Sequence, residues 1–89
     1  MGSYSLRIKD SAAKEIERIE PRKIRRQIVA RIERLAASPR PPGCEKLTGA
    51  ADRYRVRQGP YRIIYEVRDP ELVVVLVKVA HRSQVYKNL

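Results

Sequence analysis

The stretch Arg53-Tyr54-Arg55-Val56-Arg57-Gln58-Gly59-Pro60-Tyr61-Arg62-Ile63-Ile64-Tyr65 decides the fold. Basic or polar residues alternate with apolar ones on both sides of a Gly-Pro break. That pattern predicts two antiparallel strands in a hairpin with its tip at Gln58 to Pro60. Successive side chains of a strand point to opposite faces, so Tyr54 and Val56 share one face while Arg53, Arg55 and Arg57 share the other. On the return strand Tyr61, Ile63 and Tyr65 fall on one face and Arg62, Ile64 and Glu66 on the opposite one. If Arg57 pairs across from Arg62, the two apolar faces coincide and so do the two basic faces. Opposed like charges destabilise a sheet, so so dense a basic face either splays into solvent or receives an anion. The apolar anchors behind it fix the strand order and, with it, the basic face.

On the N-terminal side, Tyr4, Leu6 and Ile8 alternate with Ser5, Arg7 and Lys9 and predict a short first strand. Asp10 or Ser11 can cap a helix whose apolar positions are Ala12, Ala13, Ile16 and Ile19. Pro21 ends that helix and suits the first turn of the next. The second helix is expected over 21–37, with Ile24, Ile28, Ile32 and Leu35 on one stripe and arginines at 22, 25, 26, 31 and 34 around the rest. It reads as an ordinary amphipathic helix on a sheet, whose basic side can add non-specific phosphate affinity. Pro39, Pro41, Pro42 and Gly43 forbid regular structure and make a surface connection. Lys46-Leu47-Thr48-Gly49 reads as a turn into the hairpin. Beyond the hairpin, 67–70 makes a second tight turn, and the nearly continuous apolar run 72–79 predicts a strand buried on both faces at the sheet centre. The expected fold class is α+β: an N-terminal strand, then a two-helix hairpin packed on a small, mainly antiparallel, four-stranded sheet.

With 89 residues there is room for one domain, 1–89, with one modest core. Leu, Ile and Val supply 23 of its residues, too apolar for a disordered chain, and all five aromatics are Tyr. The formal net charge is +10, spread over the chain: eleven basic against five acidic residues precede position 45, and nine against five follow from there. A cationic body of this kind suits a polyanion, nucleic acid before a membrane surface. No apolar run approaches the roughly 20 residues of a membrane span, and no signal peptide is visible. The single cysteine, Cys44, cannot close an internal disulfide, suits a reducing cytoplasm and reads as an ordinary free thiol. With one His and one Cys, no dedicated zinc site is expected.

The order of elements, Lys46-Leu47-x-Gly49, Tyr54-Arg55-Val56-Arg57, Gly59-Pro60-Tyr61-Arg62-Ile63-Ile64-Tyr65 and Val79-Ala80-His81-Arg82-x-x-Val85-Tyr86 resemble the RelE branch of the RelE/ParE toxin superfamily over essentially the whole chain. The resemblance implies a toxin of a type II toxin–antitoxin system, cytoplasmic, which enters the ribosomal A site and cuts mRNA. In such enzymes the ribose 2′-OH attacks the adjacent phosphate without a metal or other cofactor. It also implies as partners an acidic RelB-like antitoxin, the ribosome and mRNA, with no membrane and no small-molecule cofactor. Carried over position by position, Arg62 and Arg82 match phosphate-binding arginines, and Tyr86 matches a C-terminal tyrosine that orients or stacks on substrate. Arg55 and Arg57 fall where well-known members have two active-site lysines; with Arg53 and Lys46 they are the expected RNA-binding residues.

That replacement has a chemical consequence. Arginine is effectively never deprotonated, so Arg55 and Arg57 are poor general bases and good bidentate phosphate ligands. His81, the only side chain here that ordinarily titrates near neutrality, is the candidate acid or base in their place. A lone histidine is also commonly structural, and Tyr86 can equally be a structural residue near the chain end. Two rival functions remain: a ParE-like toxin that inhibits gyrase and cuts nothing, and a non-catalytic basic nucleic-acid-binding relative.

Overall fold

A computed structural model of the chain describes residues 3–49 and 52–83. In chain order the elements are β1 (Ser5–Ile8), α1 (Asp10–Glu17), α2 (Arg22–Ala37), β2 (Glu45–Lys46), β3 (Arg53–Gln58), β4 (Tyr61–Arg68), a 3₁₀ turn (Asp69–Glu71) and β5 (Val73–His81). The strands form one mixed sheet in the order β1-β5-β4-β3-β2. Three antiparallel pairings run from β2 to β5, and β1 lies parallel to β5 at the far edge.

The expected α+β layout, N-terminal strand, helix pair and hairpin are all present, and the long apolar strand β5 lies inside the sheet. The strand count differs: the sheet has five strands, because Glu45–Lys46, the second of which opens the turn expected from the sequence, pairs with β3. Two residues are too short to carry an alternating pattern, so this strand leaves no periodic signal. The start of α1 differs too. Lys9 is its N-cap, with no side-chain capping hydrogen bond, and Asp10 is the first helical residue, where its charge meets the positive end of the helix.

The hairpin has the register that makes both faces coincide: Arg57 pairs with Arg62, Val56 with Ile63 and Tyr54 with Tyr65. Gly59 supplies the positive φ (57°) that a tight hairpin turn between right-twisted strands requires. The helices cover one face. Ile28, Ile32 and Leu35 of α2 and Ala12 and Ile16 of α1 pack with Val56, Ile63, Tyr65, Val67, Val74 and Leu76 of the sheet. A residue such as Ile28, fully excluded from solvent, contributes through transfer from water and through close packing, so truncating it leaves a void the small core cannot refill.

A second cluster ties the proline-rich connection to the sheet. The Tyr65 hydroxyl donates to the Pro39 carbonyl (2.6 Å), and burial pushes that hydroxyl above the ordinary tyrosine range. Arg40 lies over the Tyr54 ring at 5.1 Å, donates from Nε to the Tyr54 hydroxyl (3.0 Å) and grips Asp69 with both terminal nitrogens (3.3 and 2.8 Å). The Tyr4 hydroxyl donates to the same carboxylate (2.6 Å). These contacts join segments 65 and 29 residues apart in sequence.

Two outcomes are expected from urea denaturation. Ile28→Ala should lower stability by about 2–5 kcal/mol with an unchanged m-value. The hydrogen bonds from Arg40 and then Tyr4 hold the Asp69 carboxyl below its ordinary value. Its contribution is therefore complete above the ordinary carboxylate range and lost as pH falls through the depressed folded value. Asp69→Asn should lower the urea midpoint at neutral pH, and the gap from the native chain should close as pH falls below about 4.

Candidate active site

The face of the sheet turned away from the helices carries the arginines. Cross-strand pairing sets Arg53 opposite Glu66, Arg55 opposite Ile64 and Arg57 opposite Arg62. On the other flank of β4, Arg62 is opposite Ala80 of β5. On β2, Glu45 stands opposite Arg55, whereas Lys46 stands opposite Tyr54 and so belongs to the helix-covered side.

The cations on this face are not equivalent. Arg53 is tied to Glu66 through Nε (2.9 Å), and Arg68 reaches the other oxygen of that carboxylate (3.1 Å). Burial alone would raise the Glu66 carboxyl, but the hydrogen bonds from Arg53 and Arg68 outweigh it and hold the group low. Arg55 donates from Nη2 to Glu45 (3.0 Å), and Arg57 approaches the same carboxylate at 3.9 Å. Arg62 has no such partner. It is only 6% exposed, and its side chain makes no hydrogen bond or ion pair with any described residue. Its flanking neighbours, Arg57 and Ala80, bring no negative charge.

An arginine with so little of its surface exposed and no counter-charge beside it is partly desolvated without compensation, which is costly. That arrangement is characteristic of a seat for an anion, which restores the missing charge and the missing acceptors together.

The structure brings Arg62 and Arg82 to one end of the sheet. The Arg82 backbone N–H donates to the Pro60 carbonyl (2.8 Å), which pins the start of the C-terminal segment beside the hairpin turn, two residues beyond Ala80. Arg55 and Arg57 share the face with Arg62. Arg53 shares it too, but neutralised by Glu66. Lys46, read from the sequence as an RNA-binding residue, falls on the opposite side. Glu45 takes the place on the arginine face through its pairing with Arg55, which a two-residue segment gives no pattern to reveal.

His81 pairs across from Tyr61 and packs edge-on against its ring, with centroids 5.5 Å apart. It therefore lies on the helix side, in a cleft of about 150 Å³ lined by Glu15, Arg18, Ile19, Tyr61, Val79 and His81. Its Nδ1 accepts the Ser83 backbone N–H (3.3 Å). In the same region β5 has run past the end of β1, and Glu15 takes over as partner, accepting the Val79 N–H (3.0 Å) and Lys78 Nζ (2.8 Å). Tyr86 lies outside the described residues. Among the described residues no group of three His, Cys, Asp or Glu side chains is placed to hold a metal ion, and no helix is long and apolar enough to cross a membrane.

Residues 6–86 match the model of a protein family described as the ParE toxin of the type II toxin–antitoxin system parDE. The chain belongs to the RelE/ParE toxin superfamily. Among curated relatives it is similar to toxin RelG of Mycobacterium tuberculosis, 25% identical over 96% of this chain and 98% of that one. Among solved structures it resembles the isolated Escherichia coli RelE toxin, with 30% identity, a TM-score of 0.77 and coverage of 97% and 94% of the two chains. It also resembles the archaeal RelE–RelB complex from Pyrococcus horikoshii, with 27% identity, a TM-score of 0.80 and coverage of 93% and 99%. The chain is a type II toxin with RelE-like homologues.

The uncompensated arginine makes a measurable demand on this toxin. Arg62→Met keeps the length of the side chain and removes the ion. It is expected to raise stability in urea by on the order of 1 kcal/mol and to abolish the rise in thermal midpoint expected of the native chain when phosphate is added.

Proposed function

We propose that this toxin is a ribosome-dependent mRNA endonuclease that cleaves in the A site without a metal. The observation that carries this reading is Arg62, buried on a face with Arg55 and Arg57 and supplied with no anion of its own. A scissile phosphodiester seated against Arg62 would meet Arg57 on the neighbouring strand and Arg82 from the segment pinned to the hairpin turn. Attack of the ribose 2′-oxygen on phosphorus forms the 2′,3′-cyclic phosphate and breaks the bond to the 5′-oxygen. Negative charge builds on the non-bridging oxygens in between. Guanidinium groups already in place stabilise that charge with no reorganisation at the moment of reaction.

The 2′-hydroxyl must lose a proton and the leaving 5′-oxygen must gain one. Arginines supply neither role. His81, at the same end of the sheet as Arg82 but on its helix side, is our candidate for proton transfer, and Tyr86 for stacking on the substrate base. The toxin would work in the cytoplasm, where translating ribosomes present mRNA. Its partner is an acidic RelB-like antitoxin, by analogy with the RelE–RelB complexes it resembles; a strongly cationic surface suits an acidic binder.

A second reading, inhibition of gyrase without any cleavage, is favoured by the ParE description of the matching family model. Primer extension on mRNA from a translation extract separates the two. Cuts within ribosome-engaged codons are expected for the endonuclease, and growth arrest with intact transcripts would favour the gyrase reading. Arg62→Ala and Arg82→Ala are each expected to slow cleavage by about 10²-fold or more, as for a lost oxyanion donor. Full toxicity of both variants at equal expression would overturn the site.

A further inference from the structure

The two carboxylates on the arginine face are held very differently. Glu66 lies within the sheet, its side chain 14% exposed, and is gripped by two arginines at 2.9 and 3.1 Å. Glu45 is 49% exposed, with one close contact to Arg55 at 3.0 Å and a long one to Arg57 at 3.9 Å. It sits on a two-residue edge strand whose residues are both exposed, between Gly43 and Gly49, both at positive φ (90° and 80°). Arg55 has its Nε buried without a partner, so Nη2 is the donor its fork spends on Glu45. A carboxylate and a phosphate present similar pairs of oxygens to such a fork.

We propose that Glu45 is an internal stand-in for a substrate phosphate, occupying Arg55 and Arg57 in the free toxin and yielding them only to an RNA strand already anchored at Arg62. The proposal rests on the RNA-cleaving reading above. It makes Glu45 a specificity residue. A polyanion that cannot use the Arg62 seat meets a face on which Arg53 and Arg55 are already paired with carboxylates and Arg57 lies beside one, and repulsion from Glu45 lowers its affinity further. An RNA that fills the Arg62 seat also brings phosphate charge to Arg57 across the strand pair, and the exposed, weakly held carboxylate swings into solvent. Glu66, with two close partners, stays where it is.

The test is fluorescence anisotropy with a labelled 2′-O-methyl RNA hexamer, which cannot be cleaved, titrated at several salt concentrations. Glu45→Gln and Glu45→Ala, checked for native thermal midpoints, are expected to bind about threefold tighter or more, with a log–log salt slope steeper by roughly 0.7. Unchanged affinity and slope in both variants would overturn the proposal, as would weaker binding in both, since Glu45 would then be a contact to RNA. Arg62→Met serves as the separate check on the RNA reading. Native affinity in that variant removes the RNA seat, whereas lost affinity together with a silent Glu45 leaves the seat and removes only the stand-in.

Discussion

The register of the β3–β4 hairpin is the constraint on which the rest depends. With Arg57 across from Arg62, each strand sends its apolar side chains under the helices and its cations to the open face. A slip of one residue would reverse both sets, turning Tyr54 and Val56 outward and driving three arginines against Ile28, Ile32 and Leu35. Burying unpaired charge in an aliphatic core costs far more than any hydrogen-bond rearrangement could return. The core therefore positions the basic face: hydrophobic burial behind the sheet overcomes the repulsion between arginines in front of it.

The surrounding groups show how that repulsion is managed. Glu66 and Glu45 each serve two arginines on the open face, and Asp69 holds Arg40 at the proline-rich connection. Exposed ion pairs of this sort add little stability, since water already solvates both partners well. Their effect here is mainly geometric. Each fixes the direction of a long side chain that would otherwise sample many rotamers, and the loop from Ser38 to Cys44 is held against Tyr54 and Tyr65 as a result. Arg62 is nearly buried and, among the described residues, has no carboxylate partner; its position is fixed by the strands on both sides of it.

Much of this was legible in the sequence because it is periodic. The alternation over 53–65 and the helical stripe of Ile24, Ile28, Ile32 and Leu35 carry the hairpin and α2 directly. Three features are not periodic and did not show. Strand β2 is two residues long, so whether Glu45 or Lys46 joins the arginine face depends on a pairing that no local pattern specifies. The Tyr4–Asp69–Arg40 cluster spans 65 residues of sequence and exists only once the sheet has closed. Strand β5 is apolar on both faces and so has no visible phase, and the irregularity opposite Ile64 and Tyr65 shifts its register. Which face His81 joins follows from that shift.

The placement of His81 bears on how charge and proton transfer divide in the proposed reaction. A lysine pair at 55 and 57 could combine both duties, because an ammonium crowded by other cations gives up its proton. Arginines cannot, and this toxin has arginines at both positions. The open face is then a purely electrostatic surface whose charge stays constant across the physiological range. Proton transfer has to come from a group whose protonation can change, and the sheet separates that group from the arginine face by one step of strand alternation. The two sides meet where the sheet ends, at His81 and Arg82. There the ladder stops at the hairpin turn, and consecutive residues can address one substrate from both sides of the sheet edge. A phosphodiester anchored at Arg62 and reaching that edge would have fixed positive charge on one side and the His81 imidazole on the other.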